Sequence, residues 1–68
     1  MTKTQQAFEI GYNAAKNGEP SIFSRNAEAQ ALIMGMDVDT EEGMQIMRSF
    51  NCGARKGIDE ILQLTWGN

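Results

Sequence analysis

Histidine is absent from this chain, and cysteine, proline, tryptophan and tyrosine occur once each. Without histidine the protein lacks the commonest general base, the commonest metal ligand and any Ser-His or Cys-His nucleophile pair. One thiol, Cys52, allows neither an internal disulfide nor a thiolate zinc site. Bulky apolar residues are also scarce. Leu, Ile, Val and Phe make up about 19% of the 68 residues, and seven Gly and seven Ala fill much of the remainder. A chain this short buries only about 60% of its unfolded surface, which excludes a large core and leads one to expect self-association or a partner. No apolar run approaches the roughly 20 residues that a bilayer span needs. The opening Met1-Thr2-Lys3-Thr4-Gln5-Gln6 has no apolar stretch of a signal peptide. Six Lys and Arg stand against nine Asp and Glu, a net charge of −3, so the bulk attraction for phosphate backbones is missing and nucleic acid is not the expected partner. A lone thiol without an export signal points to the cytoplasm.

What is present reads as helix. The first spans about 5–17, with Thr4 as amino-terminal cap. Phe8, Gly11, Tyr12 and Ala15 share one face, flanked by Ala7 and Ala14. Asn17-Gly18 and then Pro20 stop it. Because a mid-helix Gly costs about 1 kcal/mol relative to Ala, Gly11 calls for a reason. With Ala7, Ala14 or Ala15, and Gly18 it makes a strip of small bulk that lets another backbone approach. A second helix is expected over about 26–36, capped by Ser24 or Asn26. Ala29, Leu32, Ile33 and Met36 form its stripe, broadened by Ala27, Ala31 and Met34. So much apolar circumference suggests a central helix or one covered by a second copy of the chain. A third helix is expected over about 40–64, with Asp39 as cap in a capping-box variant with Glu42 and Thr40 as the rival. Met47, Phe50, Ala54, Gly57, Ile61 and Leu64 set its stripe, with Met44, Ile58 and Leu62 beside it. Unbroken, it would be about 37 Å long. Gly53 and Gly57 make a kink as reasonable as a straight rod. The spacing F-x-x-G occurs twice, at Phe8 to Gly11 and at Phe50 to Gly53, which is either a weak duplication or one packing solution used twice.

Each candidate for chemistry has a plainer reading beside it. An EF-hand loop starting at Asp37 would need Gly where Glu42 stands and a bidentate Glu where Arg48 stands. The acidic run is therefore a helix start rather than a metal site, and no metal or cofactor is expected. Gly53-Ala54-Arg55-Lys56-Gly57 has no G-K-[ST] and is not a P-loop. Arg55 and Lys56, the adjacent cations, either grip an anionic ligand or an acidic partner, or form a solvated face. Met34, Met36, Met44 and Met47 bracket the acidic run and either fill a small core or serve an adaptable binding groove. Cys52 reads as a small buried apolar residue. Phe8, Tyr12 and Phe50 either stack bases or a purine ring or, as their helical stripes favour, fill the core, and Trp66 reads as an exposed anchor for a partner pocket. No paired acid–base constellation or nucleophile elbow is present, so the chain is not expected to be an enzyme.

The stretch Ala7-Phe8-Glu9-Ile10-Gly11-Tyr12-Asn13-Ala14-Ala15-Lys16-Asn17-Gly18-Glu19-Pro20 resembles the opening helix of the ribosome modulation factor family. Gly35-Met36 stands where that family's second helix ends in Gly and a bulky residue. The resemblance covers residues 7–36. It implies a helical hairpin closed on small residues, with Gly11, Tyr12, Ala15 and Gly18 as packing positions. The ribosome-bound members are strongly basic, unlike this acidic chain, and the segment from Asp39 to Asn68 has no counterpart in them. The overall style is similar to that of small bacteriophage accessory proteins, which are short and acidic and bind a host factor.

These readings converge on one all-α domain, residues 1–68, of three helices with a long or kinked third, expected to be a homo-oligomer. The expected function is non-enzymatic: a cytoplasmic interaction protein that binds and regulates or inhibits a larger, bacterial host protein. Met44, Met47, Arg55, Lys56 and Trp66 are the partner-binding candidates. Ala7, Gly11, Tyr12, Ala15, Gly18, Gly53 and Gly57 are the candidates for a packing seam. One alternative is an oligomer that sequesters an anionic small molecule such as a nucleotide. Another is a ribosome- or RNA-associated protein, as the family resemblance implies.

Overall fold

A computed structural model describes residues 2–37 and 39–66. The fold is all-α, with three helices and one 3-10 turn among these residues. Helix α1 runs Lys3–Asn17. It starts ahead of Thr4 because Thr2 is the cap: the Gln5 amide donates to Thr2 Oγ1 at 3.1 Å, and the Thr2 amide donates back to Gln5 Oε1 at 2.9 Å. That reciprocal box satisfies two terminal donors where a lone cap satisfies one. At the other end Gly18 takes φ 74°, and its amide and that of Glu19 both donate to the Ala14 carbonyl. The left-handed residue turns the chain out of the helix while satisfying an orphan carbonyl.

The second helical region is shorter than its apolar composition predicts. A 3-10 turn, Phe23–Arg25, leads into α2, Ala27–Leu32. Asn26 organises the junction. Its Oδ1 accepts from the Ala29 amide and its Nδ2 donates to the Pro20 carbonyl, both at 2.9 Å, with the residue only 4% exposed. Beyond Leu32 the amides of Ile33, Met34 and Met36 reach back only three residues, and Gly35 at φ 81° reverses the chain. Tightening into a left-handed glycine ends the helix before Met36.

Helix α3 runs Glu41–Trp66 without a break. Thr40 is its cap, not Asp39: Thr40 Oγ1 accepts from the Gly43 amide at 3.2 Å and donates to the Asp37 carbonyl at 2.7 Å. Asp39 sits in a turn instead, its amide donating to Asp37 Oδ1 at 2.9 Å. The helix has 26 residues, about 39 Å at 1.5 Å each, and sets the long axis of a molecule measuring 43 × 20 × 18 Å.

Gly53 and Gly57 do not interrupt α3, and α1 lies against them. A Cβ at Gly11 would strike the Phe50 carbonyl, one at Gly53 the Phe8 carbonyl, and one at Gly57 the Tyr12 carbonyl at 2.7 Å. Real Cβ atoms essentially never come within 3.0 Å of such neighbours. The pairs Phe8–Gly53, Tyr12–Gly57 and Lys16–Glu60 advance together along both helices, so α1 and α3 run parallel. The two F-x-x-G segments meet reciprocally, each glycine under the carbonyl of the other's phenylalanine. Both segments make the same kind of contact, which suits Cα–H···O contacts between closely approached backbones. Gly18 has nothing within 4 Å of an added Cβ. It terminates α1 and takes no part in the seam.

The core lies toward the amino-terminal ends of this pair. Ala7, Phe23, Ala29, Ile33, Ile46 and Phe50 are buried together, with Ile10, Leu32, Met36 and Met47 packed against them. Ile46 and Phe50 are fully buried, and Phe23 meets Phe50 edge to face at 5.3 Å between centroids. Helix α2 covers this end as a short lid and is not central. The strip of small residues on α1 thus closes on α3 of the same chain. No helix among the described residues is long and apolar enough to cross a membrane.

Candidate functional site

The close approach of α1 and α3 brings polar side chains together at the edge of the seam. Tyr12 and Lys16 stand one turn apart on α1, and Glu60 faces them from α3. The Tyr12 hydroxyl donates to Glu60 Oε1. Lys16 Nζ donates to that same oxygen and to the Tyr12 hydroxyl, each at 3.1 Å, and lies 5.0 Å from the Tyr12 ring centroid. The hydrogen bond from Tyr12, and then Lys16, hold the Glu60 carboxyl below the usual carboxylate range. The bond with Tyr12, and then Glu60, push the Lys16 ammonium above its ordinary value. Both ions are therefore charged near neutral pH and orient the Tyr12 ring.

Beside this clasp lies a cleft of about 150 Å3 lined by Phe8, Glu9, Tyr12, Lys56 and Glu60. The Phe8 and Tyr12 rings are nearly parallel, 10° apart in plane and 6.5 Å between centroids. Phe8 and Tyr12 are half-buried, walls of this cleft rather than members of the sealed core. A second, larger groove of about 450 Å3 lies along α1 between Gln6, Glu9, Ile10, Asn13 and Asn17 and the facing Glu19 and Glu28, so that Glu9 borders both openings.

A different surface is presented by the outer face of α3. Met44, Asn51, Arg55, Ile58 and Leu62 follow one another at helical spacing and are all exposed, while Ile46, Phe50, Gly53, Ala54 and Gly57 are buried. Met44, Ile58 and Leu62 are 46%, 42% and 47% exposed. Between Gly43 and Ile58 the only charges are Arg48, Arg55 and Lys56. The centre of α3 is a basic band on an acidic molecule.

The partner-binding candidates are thus dispersed. Met44 and Arg55 share the outer face, and Met47 is half-buried against the core. Lys56, one residue and about 100° from Arg55, lines the aromatic cleft instead. The two adjacent cations do not converge on one anion. The Trp66 side chain lies outside the described residues. Cys52 is exposed, not buried, because it falls between the seam and the outer face. The four methionines divide: Met36 and Met47 pack on the core, whereas Met34 and Met44 face solvent. Sequence reasoning missed Ile46 as a core residue, although its spacing to Phe50, Gly53 and Gly57 by steps of four, three and four was visible. It also missed Glu60, 48 residues from Tyr12, for which no local pattern exists. No protein-family model, curated protein or solved structure matches this chain.

Proposed function

We propose that this chain is a non-enzymatic helical interaction protein that binds a larger protein, in a bacterial host cell, and regulates or inhibits it. The observation that carries the reading is the outer face of α3, where Met44, Ile58 and Leu62 stand exposed alongside Arg48 and Arg55. An uninterrupted helix with apolar anchors on one face is suited to insertion into a partner's groove, and the arginines suit an acidic rim. A standard interface buries about 800 Å2 on each side, more than three half-exposed side chains supply. The partner must therefore wrap around α3 and reach neighbouring surface.

Affinity capture from a bacterial lysate, comparing the wild-type chain with the Ile58→Asp/Leu62→Asp variant, tests this. Both residues are exposed, so the variant keeps its helical circular dichroism and its melting transition. One protein enriched by the wild type and lost with the variant is the expected result. Equal capture by the two proteins, or none by either, would overturn the proposal. Native mass spectrometry of the same samples distinguishes a second copy of the chain from a foreign partner on this face.

A further inference from the structure

The aromatic cleft is too small for a metabolite and the right size for one side chain. Pockets that hold small molecules run to roughly 300–1,000 Å3, whereas this one encloses about 150 Å3. Its walls are the Phe8 and Tyr12 rings, and its charged groups are Glu9 and Glu60 against the single ammonium of Lys56. Lys16 is not among the lining residues. It neutralises Glu60 from outside the cleft and leaves Glu9 with no ion-pair partner among the described residues. An aromatic wall attracts cations through the negative face of the ring, and Lys16 Nζ lies 5.0 Å from the Tyr12 centroid.

We infer that this cleft receives an arginine side chain projecting from the protein partner, its guanidinium lying against Phe8 and Tyr12 and pairing with Glu9. Arginine fits better than lysine because its planar, weakly hydrated cation stacks on rings and meets a carboxylate with two parallel hydrogen bonds. Lys56 opposes the incoming charge and weakens the contact. The inference rests on the reading of the chain as an interaction protein and adds a second contact point, on a side of α3 separate from the Met44–Ile58–Leu62 face.

The test is an amide NMR titration of the full chain with four capped tripeptides, Gly-Xaa-Gly with Arg, Lys, Leu or Glu at the centre. The arginine peptide is expected to bind with a Kd of roughly millimolar order, as suits one immobilised side chain, and to shift Phe8, Glu9, Tyr12, Lys56 and Glu60. The lysine peptide binds more weakly, and the leucine and glutamate peptides leave these signals unmoved. Glu9→Gln weakens arginine binding by about threefold and Lys56→Gln strengthens it by about threefold, the size expected of one solvent-screened charge. Glu9 and Lys56 are exposed, so both variants retain the native spectrum. A preference for the glutamate peptide, equal binding of arginine and leucine, or weaker binding in Lys56→Gln would each sink the inference. Capture through the α3 face with a silent cleft would sink it while leaving the proposed function standing. A responsive cleft on a chain that captures nothing would do the reverse.

Discussion

Glu60 Oε1 serves two donors at once, the Tyr12 hydroxyl and the Lys16 ammonium. Half of this clasp is local: Tyr12 and Lys16 are four apart, a spacing at which helix side chains meet. The other half comes from a residue brought in by packing. The two ions have opposite pH signatures. The Glu60 carboxyl titrates lower in the folded protein. Its contribution is present above the unfolded value of about 4.3 and is lost as pH falls through the folded one. The Lys16 ammonium titrates higher in the folded protein. Its contribution is complete below about 10.4 and is lost as pH rises through the folded value. Urea midpoints measured between about pH 5 and pH 3 should fall less steeply for Glu60→Gln than for the wild type. Parallel profiles for the two proteins would show that the clasp contributes nothing to acid sensitivity.

At the scale of the helix, glycine usually marks weakness, and Gly53 lies in mid-helix at a nominal cost of about 1 kcal/mol. Its value comes from what replaces the side chain, the carbonyl of Phe8. In Gly53→Ala the added methyl meets backbone, which cannot swing aside as a side chain can, so α1 and α3 must separate. Overpacking strain of up to about 3 kcal/mol outweighs the gain in helix propensity, and a net loss of about 2 kcal/mol is expected in urea denaturation. Gly18→Ala is the contrast. Its left-handed φ of 74° is strained for alanine, yet open space surrounds the position. It should cost about 1 kcal/mol without disturbing the seam, and a loss equal to that of Gly53→Ala would contradict the distinction. The seam glycines were visible in the sequence as small residues at helical intervals. The same pattern placed Gly18 among them, because spacing alone does not separate a packing glycine from a terminating one. The end of α2 was misread for a related reason. Apolar residues continue through Met36, but Gly35 turns the backbone at φ 81°.

Across the whole molecule, the first and last helices close on each other, and the segment between them returns the chain and covers one end. The core draws Ala7 from α1, Phe23, Ala29 and Ile33 from the middle, and Ile46 and Phe50 from α3. None of the three regions buries its apolar face alone, and isolated helices of ordinary composition are marginal in water. A chain lacking residues 1–18 should therefore lose its cooperative thermal transition and most of its helical circular dichroism. Adding a peptide of residues 1–18 should restore both, because the seam is non-covalent. Full helicity in the shortened chain alone would mean that α3 does not depend on α1.

The division between chain and fold follows the range of the forces involved. Capping hydrogen bonds, left-handed glycines and helical spacing act over a few residues, so three helices, the stop at Gly18 and the third helix reaching past Leu62 are written locally. The parallel pairing of α1 with α3, the role of Glu60, the separation of Arg55 from Lys56 and the apolar face left outside depend on which surfaces fit when distant segments meet. Backbone contact at Gly11, Gly53 and Gly57 chose that fit, since only there can two helices approach until carbonyl oxygens fill the places of missing side chains.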